Sequence, residues 1–226
     1  MISISKRLRM AADLVPSCDV LADVGTDHAY LPVWLIQNHV ARHVLASDVR
    51  RGPLQRAMET VAEHALSQEI DVILADGLSY AQSETAEVIT ICGMGGETMI
   101  SILSSAPWTK EGRTLILQPQ SKLRELEHWL RETGYAVTGA SLCQDGGKLY
   151  LAMRVLGGGI WSCGAENRLA ADRDPLFPEY LSEERKKTEH ALQGMRCAQG
   201  DRSTELSALE HRLQMLQEYE KEAAAW

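Results

Sequence analysis

The stretch LADVGTDHAYLP, Leu21–Pro32, decides how the rest of the chain is read. It begins as an apolar strand, turns at Gly25 and continues as an apolar helix. A glycine at such a turn lets the backbone approach a ligand, and the helix start offers unpaired N–H groups. The layout suits a nucleotide-like ligand. The dinucleotide fingerprint G-x-G-x-x-G is nevertheless not met, because Asp27 and Tyr30 stand where its second and third glycines belong.

Working outward, short apolar runs alternate with helical stretches, the pattern of an α/β fold with a parallel sheet. Strands are expected at Val20–Val24, His43–Asp48, Asp71–Ala75, Val88–Cys92, Thr114–Gln118, Ala136–Cys143 and Leu149–Val155. Helices are expected at Ser5–Leu14, Tyr30–Asn38, Gly52–Ala65, Glu97–Ser104 and Lys122–Glu132. Only a turn, Gln144–Lys148, separates the last two strands, so they form an antiparallel hairpin. The glycines Gly157–Gly159 read as a flexible connection. They divide a domain at 1–158 from a linker and helical part at 159–226. There Leu206, Leu209, Leu213, Leu216 and Tyr219 recur at spacings of 3, 4, 3 and 3, a coiled-coil-like seam. A break at Gln199–Arg202 turns this region into an antiparallel helical hairpin.

The 226 residues, 45% of them hydrophobic, suffice for one packed core and a small appendage. The N-terminus lacks the apolar run of a signal peptide, and no run of eighteen apolar residues occurs, so a cytoplasmic, non-membrane protein is expected. Five scattered cysteines (Cys18, Cys92, Cys143, Cys163, Cys197) contain no C-x-x-C, which argues against a disulfide framework and a zinc knuckle; no metal is expected. The net charge of −8 weighs against a nucleic-acid partner, since phosphate binding needs concentrated positive charge. Residues 1–56, however, carry seven Lys/Arg against five Asp/Glu, and Lys6, Arg7 and Arg9 crowd the start. That local patch could equally be an ordinary solvated helix face.

A negative Asp27 repels a pyrophosphate. S-adenosylmethionine carries sulfonium and ammonium groups and no phosphate, so acidic residues at the same turn favour it. The expected architecture is then a class I (Rossmann-like) methyltransferase sheet. Asp23, Gly25, Thr26 and His28 are candidate cofactor contacts on the turn. Asp48, followed by Val49, ends the second strand where a carboxylate can accept from both ribose hydroxyls. Asp76-Gly77 closes the third strand toward the adenine amino group, although Asp-Gly is also a common turn. Gly93, Met94 and Gly95 follow the fourth strand toward the methyl group, with Gly96 leaving room for a flat base. A tight strand-to-helix turn would explain the same glycines.

The ordered set DVGTDHAYLP, SDVRRGPLQRA, ADGL, ICGMGGETMISIL, LILQPQ and GGKLYLAM resembles the bacterial tRNA (adenine-22-N1)-methyltransferase family. DPLFPEYL and the helical region extend the resemblance to nearly the full chain. It implies methylation of N1 of an adenine in the tRNA elbow, with S-adenosylmethionine as donor and tRNA as partner. The family commonly continues Gln-Pro with Asn, where this chain has Gln120, and carries an acidic residue near Cys143–Gln144. Asp27 matches its acidic position and is the choice for the carboxylate beside the base; Tyr30 would stack on or orient it. Both have structural alternatives, Asp27 as a helix cap and Tyr30 as part of an apolar helix start. Gln118 and Pro119, with Lys6, Arg7, Arg9 and Gly96, are the expected substrate side. Two other functions fit the same motifs: a class I methyltransferase acting on a small molecule or protein, and a non-catalytic RNA-binding module.

Overall fold

A computed structural model describes residues 1–197 and 202–226. The strands are β1 (Cys18–Val24), β2 (Ala41–Asp48), β3 (Ile70–Leu74), β4 (Val88–Gly95), β5 (Thr114–Ser121), β6 (Tyr135–Asp145) and β7 (Lys148–Gly157). They form one sheet in the order β3-β2-β1-β4-β5-β7-β6. The pairs β1–β2, β1–β4, β2–β3 and β4–β5 are parallel, while β7 runs antiparallel to β5 and β6. Seven strands, the closing hairpin and the parallel core agree with the sequence pattern, and the fold is the class I methyltransferase sheet.

The helices are α1 (Lys6–Asp13), α2 (Tyr30–Gln37), α3 (Arg51–Glu63), α4 (Gly96–Ser104), α5 (Leu123–Glu132), α6 (Ala165–Ala171), α7 (Phe177–Cys197) and α8 (Ser203–Ala223). Ser5 caps α1 by accepting from the Leu8 N–H at 3.2 Å. In α2, Leu31 through Ile36 are all buried, as expected of a helix that is apolar all round and belongs to the core. Pro32 is tolerated there because the first-turn N–H it lacks has no intrahelical partner. Gly146 (φ +56°) and Gly147 (φ +74°) make the tight β6–β7 turn between Asp145 and Lys148. Between β1 and β4 the strand order reverses, which opens a crevice at the carboxyl ends of the strands.

Two compact units, Met1–Ala165 and Glu166–Trp226, make up the chain. The glycines at 157–159 are not the flexible connection read from their composition. Gly157 N–H donates to the Arg113 carbonyl at 2.9 Å, and Gly158 N–H to that of Gly134 at 2.9 Å. A Cβ at Gly157 would lie 2.0 Å from the Thr109 carbonyl oxygen, and one at Gly159 would lie 2.7 Å from Ala136 Cβ. Glycine is needed here because another backbone passes close by. Gly157→Ala should therefore destabilise the fold by about 1–3 kcal/mol, the usual cost of overpacking. Gly194→Ala, inside α7 with nothing near its added methyl, should stabilise by roughly 0.5–1 kcal/mol instead. Thermal melts of the two variants check the opposite signs.

In the second unit α7 and α8 run antiparallel, joined by Arg196–Glu210 at 2.7 Å and Arg185–Glu220 at 2.9 Å. The stripe Leu206, Leu209, Leu213, Leu216 and Tyr219 is its inward, wholly or partly buried face. Of the expected break, Gln199, Gly200 and Asp201 lie outside the described residues.

Candidate active site

The carboxyl ends of β1, β2, β3 and β4 surround a cavity of about 710 Å³. At the end of β1, Gly25 (φ +74°) takes a conformation open to glycine, and the N–H groups of Gly25 and Thr26 donate to the Ser47 carbonyl at 2.8 and 2.9 Å. A Cβ on Gly25 would lie 2.2 Å from Met94 Cε, so the glycine also makes room for Met94. Asp27 (φ +52°) and Ala29 (φ +56°) follow in the left-handed region, which is costly for side-chain-bearing residues.

This backbone corrects the capping alternative for Asp27. Ala29 is the N-cap of α2, and no side chain caps that helix. The Asp27 carboxylate is 58% exposed and lies 3.8 Å from His28 Nε2 and 4.0 Å from Arg56 Nη2. The His28 and Tyr30 rings stack with centroids 5.1 Å apart, and Tyr30 is 42% exposed. Tyr30 is thus an open aromatic face on the cavity rather than an apolar helix start.

The acids divide by environment. Asp23 is buried and accepts from Thr90 Oγ1 at 2.5 Å. Burial pushes its carboxyl above the usual range; the Thr90 and Thr26 hydroxyls oppose this, and the nearby Asp48 charge adds to it. Asp48, also buried, accepts from Arg50 N–H at 2.9 Å and Asp27 N–H at 3.4 Å, which ties β2 to the turn. Asp76 is exposed, and Gly77 (φ +58°) places its carbonyl 3.3 Å from the Ser47 hydroxyl that donates to it.

The raised Asp23 carboxyl makes a pH prediction. Protons bind it more tightly in the folded state, so its contribution to stability is full below the ordinary carboxylate range. That contribution is lost as pH rises through the raised folded value. Asp23→Asn keeps an acceptor for Thr90 and removes the charge. The variant should melt higher than the parent at neutral pH, by roughly 2–4 °C per kcal/mol gained, with a flatter pH dependence. It should bind a cationic ligand more weakly. Ligand-free melts from about pH 4 to 8 test this; a lower melting temperature at neutral pH would count against it.

A family model described as "Methyltransferase domain" matches residues 4–153. The chain belongs to the methyltransferase domain family. It is 35% identical over 150 residues to the Bacillus subtilis tRNA (adenine(22)-N(1))-methyltransferase, covering 66% of this chain and 63% of that protein. This chain thus spans somewhat less than two thirds of that curated relative. Among solved structures, the B. subtilis m1A22 tRNA methyltransferase TrmK matches with a TM-score of 0.84 and 29% identity, over 97% of this chain and 100% of that one. A Streptococcus pneumoniae protein, Sp1610, a provisionally assigned tRNA (m1A22) methyltransferase solved with S-adenosyl-L-methionine, matches with a TM-score of 0.82 and 32% identity, covering 96% and 100%.

In this methyltransferase the fold gathers most of the residues picked from sequence around one cavity. Asp23, Gly25, Thr26, Asp27, His28 and Tyr30 line it from the first turn. Asp48, Val49, Asp76, Gly77, Gly93 and Met94 line it from the other strand ends. Gly95 caps α4 beside Ser121, and a Cβ on Gly96 would lie 2.4 Å from the Lys122 carbonyl oxygen, so Gly96 serves helix packing rather than a base. Gln118 is fully buried behind the wall, and Pro119 pairs with Met94 in the sheet. Lys6 is exposed on α1, away from the cavity lining. Arg9 is held by Asp13 at 2.8 Å and lies over the Trp34 ring at 4.6 Å. Of the expected substrate-side residues only Arg7 borders the cavity.

Sequence reasoning missed three parts of the lining. Ser3, Ile4, Ser5 and Leu8 arrive from the N-terminus. Thr98, Ser101 and Ile102 form one face of α4 at helical spacing, a signal present in the sequence but passed over for the preceding glycines. Cys92 lies on β4 just before the register shift at Gly93, its thiol pushed up by burial and by the Asp23 charge.

Proposed function

We propose that this methyltransferase uses S-adenosylmethionine to methylate N1 of adenine 22 in tRNA. The observation that carries the cofactor reading is the charge of the cavity: Asp23, Asp27, Asp48 and Asp76 line it together. Four carboxylates around a glycine turn disfavour a pyrophosphate and suit a cationic donor. Gly25 and Met94 both line the cavity, the glycine making room for the methionine side chain beside the acids. Asp48, at the end of β2, would accept from the ribose hydroxyls, and Asp76 with Gly77 would hold the adenine ring; all three line the cavity. When bound, the cofactor supplies an electrophilic methyl group.

Neutral adenine has an available lone pair on N1, so its attack requires orientation more than deprotonation. Tyr30, stacked on His28 and 42% exposed, offers an aromatic ring for the base. Asp27 beside it offsets the positive charge that develops on the ring, and can take a proton from N6 after transfer. The names of the relatives support the choice of adenine and of tRNA. The rim adds a physical argument: Arg50 lines the acidic cavity 3.8 Å from Asp48, and Arg56, 53% exposed, lies 4.0 Å from the exposed Asp27 carboxylate. An exposed pair such as Arg56–Asp27 is worth about 0–1 kcal/mol, so an RNA phosphate can compete for that arginine, and the Arg50 guanidinium, 73% exposed, is open to the same contact.

The test is incubation of the protein with labelled cofactor and unmodified tRNA, followed by mass mapping of the nucleosides. N1-methyladenosine at position 22 is expected. Label appearing in a small molecule or protein but not in tRNA would replace this reading with the broader class I activity.

A further inference from the structure

Arg7 is one of three basic residues at the N-terminus, yet its side chain is turned inward. The Nη1 group donates to Gln118 Oε1 at 2.8 Å. That same oxygen accepts from the Gly93 backbone N–H at 3.1 Å. Gln118 is fully buried on β5, opposite Cys92 in the β4–β5 ladder. Immediately beyond, the ladder loses register between Cys92 and Met94, where Gly93 has φ +79°. A bulge of this kind leaves a backbone group outside the regular pairing, and here the Gln118 carbonyl oxygen takes it up. The rest of Arg7 is anchored as well: its backbone N–H donates to Asp145 Oδ2 at 3.1 Å, and its guanidinium lies 5.8 Å from the Tyr150 ring centre.

A buried primary amide can present either an acceptor or a donor to a fixed neighbour. Only the acceptor orientation suits Gly93 N–H; the reverse would set two donors against each other. Arg7 has donors and no acceptor, so it too requires the Gln118 oxygen. We infer that Arg7 is a positioning residue: it locks the Gln118 amide and thereby fixes the Gly93–Met94 bulge that forms one wall of the reaction cavity. It does not grip tRNA phosphate, the role its position in a basic N-terminus suggests. The kinetic part of this inference rests on the proposed methylation of tRNA, because the wall is taken to face the transferred methyl group.

The experiment uses the full chain with Arg7→Met, Arg7→Lys, Gln118→Leu, Gln118→Glu and the Arg7→Met/Gln118→Leu double variant. Arg7→Met should lower kcat about 10- to 100-fold, because small misplacements of a reacting geometry are costly. KM for tRNA and Kd for S-adenosylmethionine should stay within about threefold. Gln118→Leu should match it, and the double variant should be no slower than the worse single one, since both act through one hydrogen-bonded unit. Gln118→Glu keeps an acceptor for Arg7 and Gly93 but sets a carboxylate oxygen against the Pro119 carbonyl, to which the Gln118 amide nitrogen donates at 3.3 Å, so it should be faster than Gln118→Leu and slower than the parent. Arg7→Lys, a milder change with one compact donor group, should fall between.

Amide hydrogen exchange at Gly93 supplies a readout that needs no substrate: its protection should drop in Arg7→Met while that of the β1 and β2 amides holds. Unchanged exchange at Gly93 would overturn the inference, as would multiplicative losses in the double variant. So would a rise in tRNA KM with a log–log salt slope shallower by about one, the mark of a lost phosphate contact. If the wild-type chain methylates no tRNA, the functional reading fails, while the exchange result still decides the role of Arg7.

Discussion

Replacing Asp27 with asparagine is expected to lower kcat for the proposed tRNA methylation about 10²- to 10³-fold, within the range that a positioned acid–base group contributes. Melting temperature and cofactor affinity should stay near wild type. Asparagine is the informative replacement because Asp27 sits at φ +52°. Asn tolerates that region by bonding locally, whereas alanine would add roughly 1–2 kcal/mol of backbone strain to the loss of the carboxylate. The fold asks little of this side chain. It is 58% exposed, caps no helix, and meets His28 and Arg56 only at 3.8 and 4.0 Å. The Asp27 N–H that donates to Asp48 belongs to the backbone and survives the change. Activity therefore separates from stability at this position. An Asp27→Asn protein with rates within about threefold of wild type would remove the carboxylate from the mechanism and leave Tyr30 and the cavity wall to orient the base alone.

The cofactor side of the site was legible because its residues lie in short segments where one strand passes into a turn. Asp23 to Tyr30, Asp48-Val49, Asp76-Gly77 and Gly93-Met94 each end a strand that the apolar runs had already located. A parallel sheet necessarily brings those ends together. The substrate side was not legible, because its contacts are long-range. Arg7 reaches Gln118 across 111 positions, and nothing local in KRLRM distinguishes the arginine that points inward from the two basic residues that do not. The glycines fail for a related reason. Composition cannot tell a glycine that loosens the chain from one, such as Gly157, that another backbone crowds. The helical seam was legible as a period of leucines, but the charge buried among them was not.

That buried charge belongs to Arg212, and Arg212→Ala is expected to destabilise the Glu166–Trp226 unit by about 3–5 kcal/mol. Arg212 is 5% exposed and donates from both terminal nitrogens to Glu166, with Nη1 to Oε2 at 2.6 Å. Glu166, 9% exposed, also accepts from the Tyr180 hydroxyl at 3.1 Å. Truncating the arginine would leave the carboxylate buried without its cation, and that loss, rather than the strength of the pair, sets the penalty. The same reasoning predicts recovery when both charges go. Arg212→Met/Glu166→Gln keeps an acceptor for Tyr180 and fills the space with apolar atoms, so it should regain most of the stability lost in Arg212→Ala. Circular-dichroism melts of the full chain, followed at a helical wavelength, compare the two. If the double variant unfolds as readily as Arg212→Ala, the unit depends on the ion pair itself and not merely on avoiding a buried carboxylate that has lost its arginine.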